Sequence, residues 1–314
     1  MRQNKTLGGK MAEILIIGGI NIDIEGRPYQ KLKYQDSNPG RVKISYGGVG
    51  RNIAENALRL GASVAMVSAI GGDELGRGAK EQLRELGADV SMIREIKDTG
   101  SAIYLAILND ERDMELGVSD MDIIENITPE YLKENSEKFS SVKAVAVDGN
   151  LKEQQLAEIL EMLADKKIFF DPVSANKAVR AKKHIGAFHS IKPNLIEAEV
   201  LSGIKIENEE DLRRAGEWFI EQGVKNVFIT LNKDGVYYKN KKKEGFIRPA
   251  ECIKIESATG AGDAFSSVIL IGMVDEKEID EIAKLGMAAS QVAMESEKAV
   301  NDKINFEEIM RRTK

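Results

Sequence analysis

Apolar residues in this chain gather in short unbroken runs that stop at glycine or at a carboxylate. Ile14-Leu15-Ile16-Ile17 ends at Gly18-Gly19, Val142 to Val147 ends at Asp148, and Ile168-Phe169-Phe170 ends at Asp171. Runs of this kind are expected of strands buried on both faces of a parallel sheet. Ser63 to Ile70 and Val227 to Thr230 read the same way. Between them the period changes. Ile53, Ala57, Leu58 and Leu60 recur at helical spacing after Gly47-Gly48-Val49-Gly50, Glu74 to Leu86 is amphipathic, and Lys192-Pro193-Asn194 opens a helix that carries Glu197 and Glu199. A third pattern, strict alternation around turn residues, marks hairpins at 26–46, at 99–108 with 114–118, and at 234–248. Strands alternating with helices predict an α/β fold, a doubly wound and mostly parallel sheet flanked by helices. The first two hairpins are read as insertions, about 24–46 and 99–118, that form a small β lid. Residues 1–11 read as a disordered leader ahead of a single domain over 12–314, and no internal repeat is visible.

Composition narrows the function classes. A net charge of −6, with no basic stripe beyond Lys241-Lys242-Lys243, argues against a nucleic-acid polymer as partner. One cysteine, Cys252, excludes an internal disulfide and a multi-cysteine metal site and fits a reducing, cytoplasmic setting. His184 and His189, the only histidines, leave little room for a Ser-His-Asp triad or a zinc hydrolase. No run approaches the roughly 18 apolar residues of a membrane span.

The densest chemistry lies in Ser257-Ala258-Thr259-Gly260-Ala261-Gly262-Asp263-Ala264-Phe265. Ile253 and Ile255 alternate with Lys254 and Glu256, whereas Phe265, Val268, Ile269 and Gly272 follow helical spacing, so the stretch reads as strand, glycine turn, helix. Free N–H groups at such a helix start form an anion site. Asp263 is then either a first-turn acid complementing the helix dipole or a base beside an oxyanion site. Asn21 and Asp23 alternate with Ile20, Ile22 and Ile24, which puts two acceptors on one face at a strand's carboxyl end, where open α/β sheets bind ligands. Asn194 and Glu197, three apart, present hard oxygen ligands suited to Mg²⁺, and Thr230 with Asn232 and Gly235 gives a hydroxyl and a glycine turn suited to nucleotide phosphates. A solvated helix start and an ordinary hairpin account for the same residues. Two motifs fail: Gly48-Val49-Gly50 lacks the third small residue of a dinucleotide fingerprint, and Gly71 to Gly76 is followed by Arg77-Gly78 where a P-loop needs Lys-Ser/Thr.

Taken in order, Gly47-Gly48-x-Gly50-x-Asn52, Asn194-x-x-Glu197 and Thr259-Gly260-Ala261-Gly262-Asp263 resemble the signatures of the ribokinase-like carbohydrate and nucleoside kinases, over nearly the whole chain from Met11. Longer strings, Asp36-Ser37-Asn38-Pro39-Gly40, Gly48 to Asn56, Asp171-Pro172-Val173-Ser174 and Lys192-Pro193-Asn194, resemble the branch that acts on pseudouridine. The resemblance implies a ribokinase-like fold and ATP-dependent phosphorylation of a sugar or nucleoside hydroxyl. It implies Asp263 as base with Gly260, Ala261 and Gly262 as anion hole, and Asn21, Asp23, Gly48, Asn52 and Asp148 around the acceptor. It places Asn194, Thr230, Asn232 and Gly235 at the nucleotide, the helix around Ala288 and Ala289 at its adenine, and Glu197 with Asn194 at Mg²⁺. Ser37, Asn38, Lys43, Ser45 and Tyr104 of the lid are expected to read the base, and some relatives form homodimers through the lid. Where many relatives carry an Asp that helps bind a monovalent cation, this chain has Ser257, which leaves K⁺ use open. A nicotinamide oxidoreductase and a non-catalytic nucleoside sensor are the readings from other classes.

Overall fold

The structure, a computed structural model, describes residues 11–111, 113–249 and 255–313. Its strands are β1 Ile14–Ile17, β2 Asn21–Pro28, β3 Gly40–Gly47, β4 Val64–Gly71, β5 Asp89–Ile96, β6 Ile103–Leu108, β7 Met114–Asp120, β8 Ala144–Asp148, β9 Lys167–Asp171, β10 Ser190–Ile191, β11 Asn226–Thr230, β12 Val236–Lys239 and β13 Glu244–Ile247. The helices are α1 Val49–Arg59, α2 Glu74–Glu85, α3 Pro129–Glu134, α4 Glu153–Met162, α5 Ala175–Ala178, α6 Leu195–Ser202, α7 Glu209–Glu221, α8 Ala261–Val274, α9 Ile279–Met294 and α10 Phe306–Arg312. A nine-stranded sheet runs β13-β12-β11-β10-β9-β8-β1-β4-β5. It is parallel except for the β11-β12-β13 meander at one edge.

Alternation along β1 shows how the continuous apolar runs are used. Leu15 and Ile17 pack on one face with Val145, Val147, Phe170, Phe219 of α7 and Leu156 of α4. Ile14 and Ile16 pack on the other with Ile53 of α1, Leu83 of α2 and Phe265 and Ile269 of α8. Both faces are covered by helices, so every position of the strand is apolar. Removing a large side chain from such a core typically costs about 2–5 kcal/mol, and the polar Ser68 inside β4 is accommodated because its buried hydroxyl donates to Gly18 O at 2.7 Å.

The second sheet, β3-β2-β6-β7, has four strands. Its strands leave the main sheet after β1 and β5, the two places at which insertions were expected. β5 was not foreseen, because Asp89 to Ile96 mixes charged and apolar residues on an edge strand with alternating exposure. The first lid strand also begins earlier than expected, at Asn21, so both substrate-site candidates lie within it. The expected strand at Ile253 and Ile255, the residue Cys252 and most of the leader lie largely or wholly outside the described residues.

Candidate active site

Strands β1, β8, β9, β10 and β11 run parallel, so their carboxyl ends share one edge. Asp148 ends β8, Asp171 ends β9, Lys192 follows β10 and Thr230 ends β11. Two helices begin over this edge, and both use glycine as the residue before the first turn. Gly48, at φ 99°, precedes α1, where an added Cβ would lie 2.4 Å from the Gly19 carbonyl oxygen. Gly260, at φ 81°, precedes α8, where a Cβ would lie 1.7 Å from the Ala299 carbonyl oxygen. Neither helix start is capped by its own N-cap side chain, but at α1 the Gly50 N–H donates to Asp148 Oδ2 at 3.1 Å and the Arg51 N–H to Gly19 O at 3.2 Å, so open first-turn amides are left at α8. At α8, Ala261 N–H reaches Ala258 O at 3.4 Å and Ala264 N–H reaches Gly260 O at 2.9 Å, while the Gly262 and Asp263 amides have no acceptor among the described residues.

Asp263 lies one residue inside that turn, and its Oδ2 accepts a 2.8 Å hydrogen bond from Nδ2 of Asn52 on α1. Burial, reinforced by the charge of Asp171, pushes its carboxyl up to about 7 against the pull of Asn52 and Lys192. A carboxylate that only complemented a helix dipole would be stabilised as the anion, with its pKa lowered. At Asp263 burial thus outweighs any stabilisation of the anion by the helix start. Arg51 supports Asp263 indirectly. Its guanidinium donates to the Asn52 Oδ1 at 2.7 Å and pairs with Glu55, which fixes the Asn52 amide with its NH₂ toward Asp263.

Asn21 and Asp23 share a face of β2, with Asn21 Nδ2 donating to Asp23 Oδ1 at 2.6 Å. Burial raises the Asp23 pKa against that hydrogen bond and the charge of Arg51. Register sets Ser45 of β3 and Tyr104 of β6 on either side of Asp23, so a polar row crosses the lid sheet beside this pair. Of the other expected base readers, Asn38 is committed to the backbone of Lys33 and Asp36, and Lys43 donates to the Glu297 carbonyl at 3.1 Å.

Asp148 has a structural task. Its buried carboxylate accepts N–H bonds from Gly19 at 2.8 Å, Gly50 at 3.1 Å and Asn150 at 2.9 Å. It staples the end of β1 to the start of α1. Sequence alone missed this, because a carboxylate at a strand end looks the same whether it binds substrate or shapes the loop that does.

Asn194 and Glu197 are three apart because they cap α6 reciprocally. Glu197 N–H donates to Asn194 Oδ1 at 2.9 Å, and Asn194 N–H donates to Glu197 Oε2 at 2.8 Å. Burial and the charge of Asp171 raise the Glu197 pKa, while the Asn194 amide and Lys192 oppose the rise. No group of three or more His, Cys, Asp or Glu among the described residues is arranged to hold a metal unaided. Nevertheless a buried carboxylate under the field of a second one is an environment that a hard divalent cation would relieve, so the donor chemistry fits Mg²⁺. Thr230 pairs with Asn194 in an isolated parallel bridge and its N–H donates to Pro193 O at 3.0 Å, which brings the two expected nucleotide contacts side by side. Asn232, at φ 53°, and Gly235, at φ 102°, form the turn after β11. Ala289 corrects an expectation, since it faces the core of α9. Its neighbour Ala288 lines a cavity of about 300 Å³ with Met287, Gln291, Ile247 and Arg248.

Comparison with known proteins agrees with this arrangement. The model of the "pfkB family carbohydrate kinase" matches residues 11–305. The chain belongs to the pfkB family of carbohydrate kinases. Among pfkB relatives, the pseudouridine kinase of Escherichia coli (strain K12) is 34% identical over 298 residues, covering 95% of each chain. The guanosine-inosine kinase of Exiguobacterium acetylicum is 27% identical, covering 91% of this chain and 96% of its own. A carbohydrate kinase from Agrobacterium tumefaciens superimposes with a TM-score of 0.82 at 26% identity, over 96% of this chain and 97% of that one. The ribokinase of Arabidopsis thaliana, solved with ribose and ATP, shares the fold with a TM-score of 0.82 at 16% identity, over 97% and 99%. The nine-stranded sheet and its lid are thus the ribokinase-like fold expected of this kinase family. Among the described residues, no helix is long and apolar enough to cross a membrane.

Proposed function

We propose that this pfkB kinase transfers the γ-phosphoryl group of ATP to the 5′-hydroxyl of pseudouridine. The observation that carries the transfer chemistry is the pairing of Asp263 with the open amides of its own helix turn. The carboxylate, raised to about 7, takes the proton of the attacking hydroxyl. The amides of Gly262 and Asp263, in the first turn of α8 after Gly260, stabilise charge on the transferring group. Asn52 keeps the carboxylate aimed, and Asn21 with Asp23 holds the sugar hydroxyls. Asn194, Thr230, Asn232 and Gly235 receive the triphosphate, and the cavity beside Ala288 receives the purine. Mg²⁺, held through Glu197 and the Asn194 end of α6, would supply charge neutralisation to the phosphates.

The acceptor assignment is supported by the 34% identity to a pseudouridine kinase and by the polar row of the lid. Ser45 and Tyr104, on either side of Asp23, give a C-linked base both donors and acceptors. A site that pairs a ring N–H rejects the analogue lacking it by up to about 10⁴–10⁵-fold, because the buried partner is left bare. The test is ADP formation with pseudouridine, uridine, guanosine, inosine, ribose and fructose side by side, with the phosphorylated position read by phosphorus NMR. Pseudouridine should give the highest kcat/KM. A free sugar or a purine nucleoside in first place would overturn the acceptor and leave the kinase standing, whereas saturable binding of nucleoside without ADP would establish a sensor.

A further inference from the structure

Lys192 stands at the carboxyl end of β10 with 5% of its surface exposed. Lysine is almost never so buried unless its charge is used. Among the described residues its ammonium has one partner, Asp171, at 3.3 Å, and Asp171 also accepts the Ser266 hydroxyl at 2.8 Å. An ammonium has three N–H donors, so this pair leaves donors unspent. They lie next to the α8 turn: a Cβ built on Gly262 would sit 3.3 Å from Nζ, with no other heavy atom within 4 Å. Gly262 thus leaves a gap between its backbone and a buried cation, in the turn where the Gly262 and Asp263 amides have no acceptor among the described residues. A buried ion pair contributes little stability relative to apolar replacements of similar size, so pairing Asp171 does not by itself explain a lysine here.

We propose that Lys192 is a catalytic residue whose ammonium contacts a non-bridging oxygen of the phosphoryl group in flight. The proposal rests on the kinase reading above. In the step, the acceptor oxygen forms a bond to the γ-phosphorus as its proton passes to Asp263. The bond from that phosphorus to the β,γ-bridging oxygen breaks, and its electron pair leaves on ADP. Charge spread over the three equatorial oxygens is met by the Gly262 and Asp263 amides and, across the gap that Gly262 leaves, by Lys192. A positive charge fixed in place before the reaction needs no reorganisation as the transition state forms.

A double-mutant cycle separates this role from simple pairing with Asp171. Lys192→Met and Asp171→Asn are made singly and together, since Asn still accepts the Ser266 hydroxyl and the double variant carries no unpaired charge. Catalysis by Lys192 predicts that Lys192→Met lowers kcat by about 10²–10³-fold in both the native and the Asp171→Asn background. The acceptor KM should move by less than about threefold, because the interaction is made in the transition state. If the loss disappears in the Asp171→Asn background, Lys192 only neutralises Asp171 and the proposal is overturned. It is equally overturned if the native protein makes ADP and Lys192→Met keeps pace with it. A native protein that makes no ADP with any acceptor sinks the kinase reading and this proposal together.

Discussion

Asn52 and Asp263 lie 211 residues apart in sequence and meet at 2.8 Å, amide to carboxylate, where the starts of α1 and α8 converge. Each residue follows a glycine turn, and the α8 turn leaves the Gly262 and Asp263 amides without an acceptor among the described residues, so one hydrogen bond ties α1 to that open turn. Asn52→Ala removes the donor and leaves Asp263 free to rotate. Loss of a positioned base is worth roughly 10²–10⁴-fold in rate, and loss of its aim alone should cost less, about 10–10²-fold in kcat. Asp263→Asn, which keeps shape but cannot accept the proton, should lose more. Steady-state rates of the two variants compare the roles directly, and an Asp263→Asn protein within a few-fold of the parent would refute the base assignment.

With Asp263 as the proposed base, its ionisation fixes the expected pH dependence. The base must be ionised, so kcat/KM should rise with pH through about 7 and level off above it. The same shift has a stability consequence of opposite sense. A folded-state pKa raised from 3.8 to about 7 gives stability that is present below the lower value and lost as pH climbs through the upper one. Asp263→Asn escapes that loss. Its melting temperature should match the parent near pH 4 and exceed it at pH 8, by an amount corresponding to at most about 4 kcal/mol at ~1.4 kcal/mol per pKa unit. Equal melting curves at pH 8 would show that Asp263 is ionised without penalty.

Glu197 has a double task, closing the α6 cap through Oε2 and facing Asp171 as a buried anion. Glu197→Gln preserves an acceptor for the Asn194 amide while removing the charge. The Mg²⁺ concentration for half-maximal rate should rise, by about tenfold or more, with the melting temperature little changed. An unchanged Mg²⁺ titration would reduce Glu197 to its capping role.

The main sheet was legible in the sequence because strands buried on both faces must be apolar throughout, and Ile14-Leu15-Ile16-Ile17 has no other soluble use. Gly260 and Gly48 were legible because positive φ and close approach to a carbonyl leave no alternative to glycine. What sequence did not yield was the direction of side chains at the strand ends. Asp148, Asp171 and Asp263 are all carboxylates on one edge, yet the first binds backbone amides, the second pairs with Lys192 and the third faces the anion turn. Those choices follow from long-range packing of α8 and α1 over the sheet, and no local pattern encodes them. Lys192 was read only as the residue before a helix start, because the Gly262 backbone beside it lies 70 positions further along the chain.

The lid sheet carries its polarity in an unusual sense. The row Ser45, Asp23 and Tyr104 belongs to the face that bears Asn21, while the alternate positions are apolar. On that other face Ile44, Val118, Val42 and Leu116 fall in two cross-strand rows and are 55%, 54%, 69% and 60% exposed. A contiguous apolar face on a four-stranded sheet marks an interaction surface, and a second copy of the same sheet would cover it symmetrically. The surface lies on the lid, the element through which the resemblance led a homodimer to be expected. The protein should therefore be a homodimer at micromolar concentration, and Ile44→Lys with Val118→Lys should make it a monomer of unchanged melting behaviour near the monomer limit, since both sites point away from the core. Light scattering of parent and double variant across a dilution series decides the matter. A parent that stays monomeric at tens of micromolar, or a double variant that remains dimeric, would place the dimer contact elsewhere or dismiss it.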